Sequence, residues 1–247
     1  MSAKSIAISF GLTISAIAMA PMAATAGVIT LCPSQATPGG FGGTATDVVG
    51  PLDGTCGAKS AVELDIPAST DYGKLQFNSG MTGWPTGLTL AGLGGLSANV
   101  DFSTSGLDQP YFLLPFVDSS DSLGQASASD QILLIEFQPT TLSGNTLAAD
   151  PSTTLFNLYD NTAGAYLQGG QHVTNTIDGW LSTFTALDSE ELQGIWVAEG
   201  LTGSNTGAES LTVNSLNVTV PEPSSLALLG AALVGFPLFW RRRKKTA

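Results

Sequence analysis

Side chains able to do chemistry are few in this sequence. His172, in the segment GGQHVTN, is its only histidine. A serine or cysteine hydrolase needs a base beside its nucleophile and an acid that orients the base. No G-x-S-x-G elbow occurs, so His172 reads as a solvated loop residue. Carboxylates are more plentiful. Asp118-Ser119-Ser120-Asp121 and Asp188-Ser189-Glu190-Glu191 each gather several oxygens within one loop. Such loops could fold around a hard cation such as calcium, which takes roughly six to eight oxygen ligands. Neither follows an EF-hand or a Gly-Asp repeat, so no metal ligand is assigned and no cofactor is expected. A glycosidase would need two carboxylates facing one cleft, and sequence spacing shows no such facing. No catalytic residue is assigned, and an enzyme is not expected.

Aromatic rings could instead stack on sugars. Trp84, Tyr166 and Trp180 lie in or beside loop-like segments, and read either as turn-packing residues or as a glycan platform. Trp196 alternates with Gly194 and Ala198 inside a strand and reads as core, because a buried indole fits opposite small neighbours. The two cysteines, Cys32 and Cys56, sit in a segment rich in Gly, Pro and Thr. An even count in an oxidising compartment predicts one disulfide, worth roughly 3 to 4 kcal/mol by loop entropy. No histidine or second cysteine pair lies nearby to complete a zinc site.

The elements that must position these residues read as short strands. Gly27 to Gly57 is loop-like, with PGGFGG and Asp53-Gly54, and is expected to hold one short strand at most. In Ala61 to Ile66, apolar Val62, Leu64 and Ile66 alternate with Glu63 and Asp65, the period of a half-buried strand. Further strands are expected around Leu75 and Phe77, over Leu96 to Phe102, and over Tyr111 to Val117, where Pro115 favours a sheet edge. Gln131 to Phe137 is nearly continuous in apolar residues and reads as a central strand. Leu155 to Tyr159 and Ala165 to Leu167 flank a turn and read as a hairpin. Leu181 to Phe184, one helical turn at Asp188 to Leu192, and Gly194 to Ala198 follow. The last strand, Leu211 to Val220, slips phase at Asn214-Ser215, which a β-bulge would absorb. No 3.6-residue apolar period lasts three turns. The expected fold is all-β: an antiparallel two-sheet sandwich, jelly-roll-like.

Both ends carry an address. Lys4, the apolar stretch Ile6 to Ala20 and the small residues Ala24-Thr25-Ala26 read as a secretory signal peptide over residues 1–26, with a signal helix. At the other end stands Pro221-Glu222-Pro223, then an apolar run, then the cluster Arg241, Arg242, Arg243, Lys244 and Lys245. Counted from Ser224 to Trp240 the run is 17 residues, about 26 Å as a helix. A hydrocarbon core of roughly 30 Å makes that a short but usable transmembrane helix. Five adjacent cations would stay cytoplasmic and leave the preceding chain outside. Residues 27–220 form the expected ectodomain, 194 residues by these bounds. Of 20 acidic residues only Glu222 lies beyond it, and of 8 basic residues only Lys59 and Lys74 lie within, giving a net charge near −17. Such a surface disfavours nucleic acid and anionic lipid as partners.

The order Pro-Glu-Pro, apolar helix, basic cluster resembles the sorting signal of PEP-CTERM proteins, Gram-negative surface proteins processed by exosortase. The resemblance covers residues 221–247 alone. It implies that a membrane exosortase recognises Pro221, Glu222 and Pro223. It also implies export across the inner membrane, transient anchoring there, removal of the tail, and release or attachment at the cell surface. An organism making exopolysaccharide is implied too, so a structural or adhesive role in a polysaccharide matrix is the leading expectation. A glycan-binding module is the alternative, and a polysaccharide hydrolase stands third.

Overall fold

The structure is a computed structural model that describes residues 27–41, 44–48, 56, 61–67, 72–103, 109–125, 127–137, 145–170, 173–200 and 209–221. The expected signal helix (1–26) and transmembrane helix (224–240) lie outside these residues. Among the described residues, no helix is long and apolar enough to cross a membrane.

The strands are β1 (Gly27–Leu31), β2 (Thr37–Phe41), β3 (Thr44–Val48), β4 (Ala61–Ile66), β5 (Tyr72–Asn78), β6 (Gly95–Ser103) and β7 (Tyr111–Val117). They continue as β8 (Gln131–Glu136), β9 (Thr146–Ala149), β10 (Phe156–Asp160), β11 (Ala165–Tyr166), β12 (Thr174–Asn175), β13 (Gly194–Gly200) and β14 (Glu209–Val220). A six-stranded sheet runs β3-β4-β14-β6-β9, with β1 also on β14. An eight-stranded sheet runs β11-β10-β8-β7-β13-β5-β2, with β12 also on β10. First and last main strands lie side by side, β4 on β14 and β5 on β13, so the two halves of the chain wrap along each other as in a jelly roll.

Apolar alternation drives the sheets together. Leu64, Val100, Leu211, Val213 and Val218 from one sheet meet Phe77, Phe112, Leu134, Phe156 and Val197 from the other in a single buried cluster. The β14 slip is a bulge: Val213 pairs with Val100 but Ser215 with Asn99. Asn214 is the extra residue, and its Nδ2 donates to Asn99 Oδ1 (2.9 Å) and Asp101 Oδ2 (3.0 Å). That single insertion lets Leu211, Val213, Leu216 and Val218 all point inward.

Three expectations needed correction. The N-terminal segment holds three strands, β1, β2 and β3, rather than one. Each adds to a sheet already built by later residues, and in β2 (TPGGF) weak local propensity is offset by that ready partner. β7 is interior rather than an edge, lying between β8 and β13. Pro115 is tolerated because its backbone faces a gap in the β13 ladder. That ladder stops at Trp196↔Leu113, and Pro115 O accepts from Gln193 N beyond it. Finally, Leu181 to Thr183 belong to a helix, α1 (Ile177–Thr183), capped by Thr176, whose hydroxyl accepts from Gly179 N. A 3-10 turn at Thr185–Ser189 follows. Cys32, just after β1, is joined to Cys56 in a disulfide.

One inward carboxyl is exceptional. Glu136, 4 % exposed, accepts from Phe112 N at 2.9 Å, but burial pushes its pKa up from 4.5 to about 7. The folded chain therefore keeps a proton that the unfolded chain releases between pH 4.5 and about 7, and stability falls as pH rises through that window. Glu136→Gln should remove this slope and raise stability above pH 7 by up to roughly 3 kcal/mol. Urea unfolding of both proteins across the window checks it; parallel pH profiles would contradict it.

Candidate functional site

Strand alternation gives the eight-stranded sheet an outer face as well as a core face. Leu75 and Phe77 point into the core, so Tyr72, Lys74 and Gln76 point out; Phe112 and Leu114 point in, so Tyr111 and Leu113 point out. By the same rule Leu133, Ile135, Asn157, Tyr159, Trp196 and Ala198 face out. Leu113, Leu133, Trp196 and Ala198 form a second buried cluster there, flanked by Tyr111, Ile135 and Tyr159. The outer face of the other sheet is of another kind, offering Glu63, Asp65, Ser97, Asn99, Asp101, Thr212 and Asn217. Among the described residues only one outer face of the sandwich is aromatic.

Trp196 is the floor of this site. Its Nε1 donates to Asn78 Oδ1 at 3.2 Å, and a Cβ at Gly194 would stand 3.0 Å from that nitrogen. Lys74 Nζ lies over its ring, 3.7 Å from the centroid, and 5.8 Å from the Tyr72 centroid. Burial lowers the Lys74 pKa. At the far side Tyr159 and Tyr166 meet edge to face with centroids 5.0 Å apart, and Tyr111 Oη donates to Gly200 O at 3.1 Å. Asn157, 3 % exposed, stands two residues before Tyr159, and its Oδ1 has no hydrogen-bond donor among the described residues.

Tyr72 on β5 and Tyr159 on β10 are four strand intervals apart, roughly 19 Å in a flat sheet. Yet the Tyr72 pKa is raised by burial first and by the neighbouring Tyr159 second, as is that of Tyr166. The two phenols are near enough to influence each other, and the strip of outer face between them, over Trp196, is the candidate binding groove.

The residues singled out in the sequence separate cleanly. Trp180 is buried, donates from Nε1 to Phe156 O at 3.0 Å and stacks on Phe184. Trp84 packs half-buried against the inter-sheet core. Both are packing residues. Tyr166 does face the groove. Trp196 is buried as a core reading requires, but in the outer cluster rather than between the sheets. Tyr72, Tyr111 and Tyr159 were not singled out, although each sits at an outward strand position, which the alternation of its neighbours could have revealed. Asp118 serves its own turn: it accepts from Ser120 Oγ (2.6 Å), Ser122 Oγ (3.0 Å) and Leu123 N (2.8 Å). Burial raises its pKa, but these bonds outweigh burial and hold it low. Glu190 accepts from Ser119 Oγ at 2.7 Å. Among the described residues no group of three or more His, Cys, Asp or Glu could hold a metal ion. Pro221 is exposed at the end of β14. Glu222, Pro223, His172 and Arg241, Arg242, Arg243, Lys244 and Lys245 lie outside the described residues.

Residues 219–244 match the family described as the PEP-CTERM protein-sorting motif. The tail carries a PEP-CTERM sorting signal, and the match is confined to the tail. No curated protein matches the chain. Among solved structures, the sandwich is similar to the module CtCBM11 in solution, at 8 % identity and TM-score 0.39, covering 79 % of this chain and 97 % of that one. A low-affinity xylan-binding module of the gut symbiont Roseburia intestinalis gives 9 %, 0.34, 78 % and 95 % in the same order. The family 11 carbohydrate-binding module of Clostridium thermocellum, in complex with a β-1,3-1,4-mixed-linked tetrasaccharide, gives 11 %, 0.36, 81 % and 99 %. At TM-scores this low the likenesses carry no argument.

The groove walls are testable without a ligand. Tyr159→Phe removes one phenol, so Tyr72 and Tyr166 should ionise at lower pH than in the wild type while burial still holds both above 10.0. Ultraviolet difference titration checks this; an unchanged Tyr72 would mean that the walls do not approach.

Proposed function

We propose that this chain is an exported matrix or cell-surface protein that adheres to polysaccharide through the outer face of its eight-stranded sheet. The observation that carries the reading is the segregation of Tyr72, Tyr111, Tyr159, Tyr166 and Trp196 to one outer face. Aromatic rings there offer flat apolar area to the C–H faces of sugars, and tyrosine hydroxyls offer hydrogen bonds to their hydroxyls. A hydrolase is not favoured on this face: the outward positions of β5, β7, β8, β10 and β13 carry no carboxylate, and Glu136 and Glu199 point inward.

Delivery follows from the two ends. Residues 1–26 act as a signal peptide and residues 27–220 are the ectodomain. Support for the C-terminal bound comes from β14, which ends at Val220 directly before Pro221. The helix over 224–240 anchors the chain briefly in the inner membrane, with Arg241 to Lys245 on the cytoplasmic side. An exosortase reads Pro221-Glu222-Pro223 and removes the tail, leaving the sandwich at the surface or outside the cell.

Affinity electrophoresis of the purified protein in gels cast with matrix polysaccharide tests the adhesion. The wild type should be retarded, and Tyr72→Ala and Tyr159→Ala should each weaken binding about tenfold, roughly 1.4 kcal/mol. Retardation unaffected by either substitution, in variants that melt like the wild type, would place binding elsewhere.

A further inference from the structure

The groove holds one cation, and its setting points to the kind of sugar it meets. Lys74 lies between Tyr72 and Gln76 on the outward side of β5. Its cross-strand neighbours are Ala198 on β13 and Gly39 on β2, neither of which carries a charge. No carboxylate occupies an outward position of β5, β7, β8, β10 or β13. The ammonium thus rests on ring faces, Trp196 at 3.7 Å and Tyr72 at 5.8 Å, in an ectodomain whose only other basic residue is Lys59. Room for the Lys74 stem is built in: a Cβ at Gly39 would run into the Gln76 amide and stand 3.2 Å from Lys74 Cε.

With Lys74 over its ring, Trp196 keeps only 5 % of its surface exposed. A neutral sugar could stack on the indole only by displacing the ammonium and leaving it without a counter-group. A sugar carboxylate changes the balance, because it draws Nζ off the ring into a charge-assisted hydrogen bond as the pyranose takes its place.

We propose that the groove takes a glycan carrying uronic acid residues, with Lys74 holding the sugar carboxylate and Trp196 and Tyr72 holding the adjoining ring. The net charge near −17 sets a limit on that glycan. One cation neutralises one carboxylate, so the ligand is a largely neutral polymer with scattered uronates rather than a dense polyanion. This rests on the carbohydrate-binding reading of the groove.

The test compares glucuronoxylan, a neutral backbone with scattered glucuronates, with the same polymer after its carboxyl groups are reduced to alcohols. Binding of the full chain in detergent is measured by isothermal calorimetry, with neutral mixed-linkage glucan as a third ligand. The wild type should bind glucuronoxylan about tenfold more tightly than the reduced polymer, and Lys74→Met should erase that difference while keeping the wild-type melting temperature. Equal binding to both xylans, or a preference that survives Lys74→Met, overturns the uronate assignment and leaves the groove reading standing. Preference for neutral glucan over glucuronoxylan does the same. Binding to none of the three polymers overturns the groove reading itself.

Discussion

The long strands of the eight-stranded sheet, β5, β7, β8, β10 and β13, each bury one face against the other sheet, and this two-residue alternation governs the molecule. Phe77, Phe112, Phe116, Phe156, Leu134 and Val197 fill the space between the sheets. Their neighbours in sequence then have no choice but to face outward. A sheet with one solvated side ordinarily alternates apolar with polar residues. Here Tyr72, Tyr111, Leu113, Leu133, Tyr159 and Trp196 stand outward among the polar Lys74, Gln76 and Asn157. The β14 bulge obeys the same constraint on the opposite sheet, since Asn214 is pushed aside to keep Val213 and Leu216 in the core. Inter-sheet packing supplies the stability, and it leaves the outer aromatic face available for another use.

Much of the fold was legible because alternation is local. Ala61 to Ile66 and Tyr111 to Val117 are strands over the residues expected, and the phase slip at Asn214-Ser215 is a bulge. What was not legible depends on distant partners. β2 (TPGGF) has poor strand propensity and exists because β5 offers it an edge, while the partners of β1 and β3, β14 and β4, lie further along the chain. Pro115 argued for an edge, but where β13 departs from β7 is not written near Pro115. Helix α1 has seven residues, too few to show a period, and only its Thr176 cap was there to be seen. The site was the least legible part. Trp84 and Trp180 look loop-borne in sequence yet anchor the core, while the groove tyrosines come from β5, β7, β10 and β11, which only the sheet order brings together.

Address and binding face complement each other. A PEP-CTERM tail implies export of the chain that carries it, and an acidic surface favours solubility there. The groove is a mostly uncharged window in that acidic surface, with Lys74 as its single cation. Under the proposed reading the rings would provide area and the cation discrimination.

The central claim is that sugar binds over Trp196 and not elsewhere on the sandwich. The indole N–H signals of the tryptophans, followed by heteronuclear NMR while oligosaccharide is added, test it most directly. Trp196, whose N–H is held by Asn78, should shift in a saturable way. Trp180, whose N–H is held by Phe156 O inside the core, and Trp84 should stay in place. Saturable shifts at Trp84 or Trp180 with Trp196 unmoved would contradict the account.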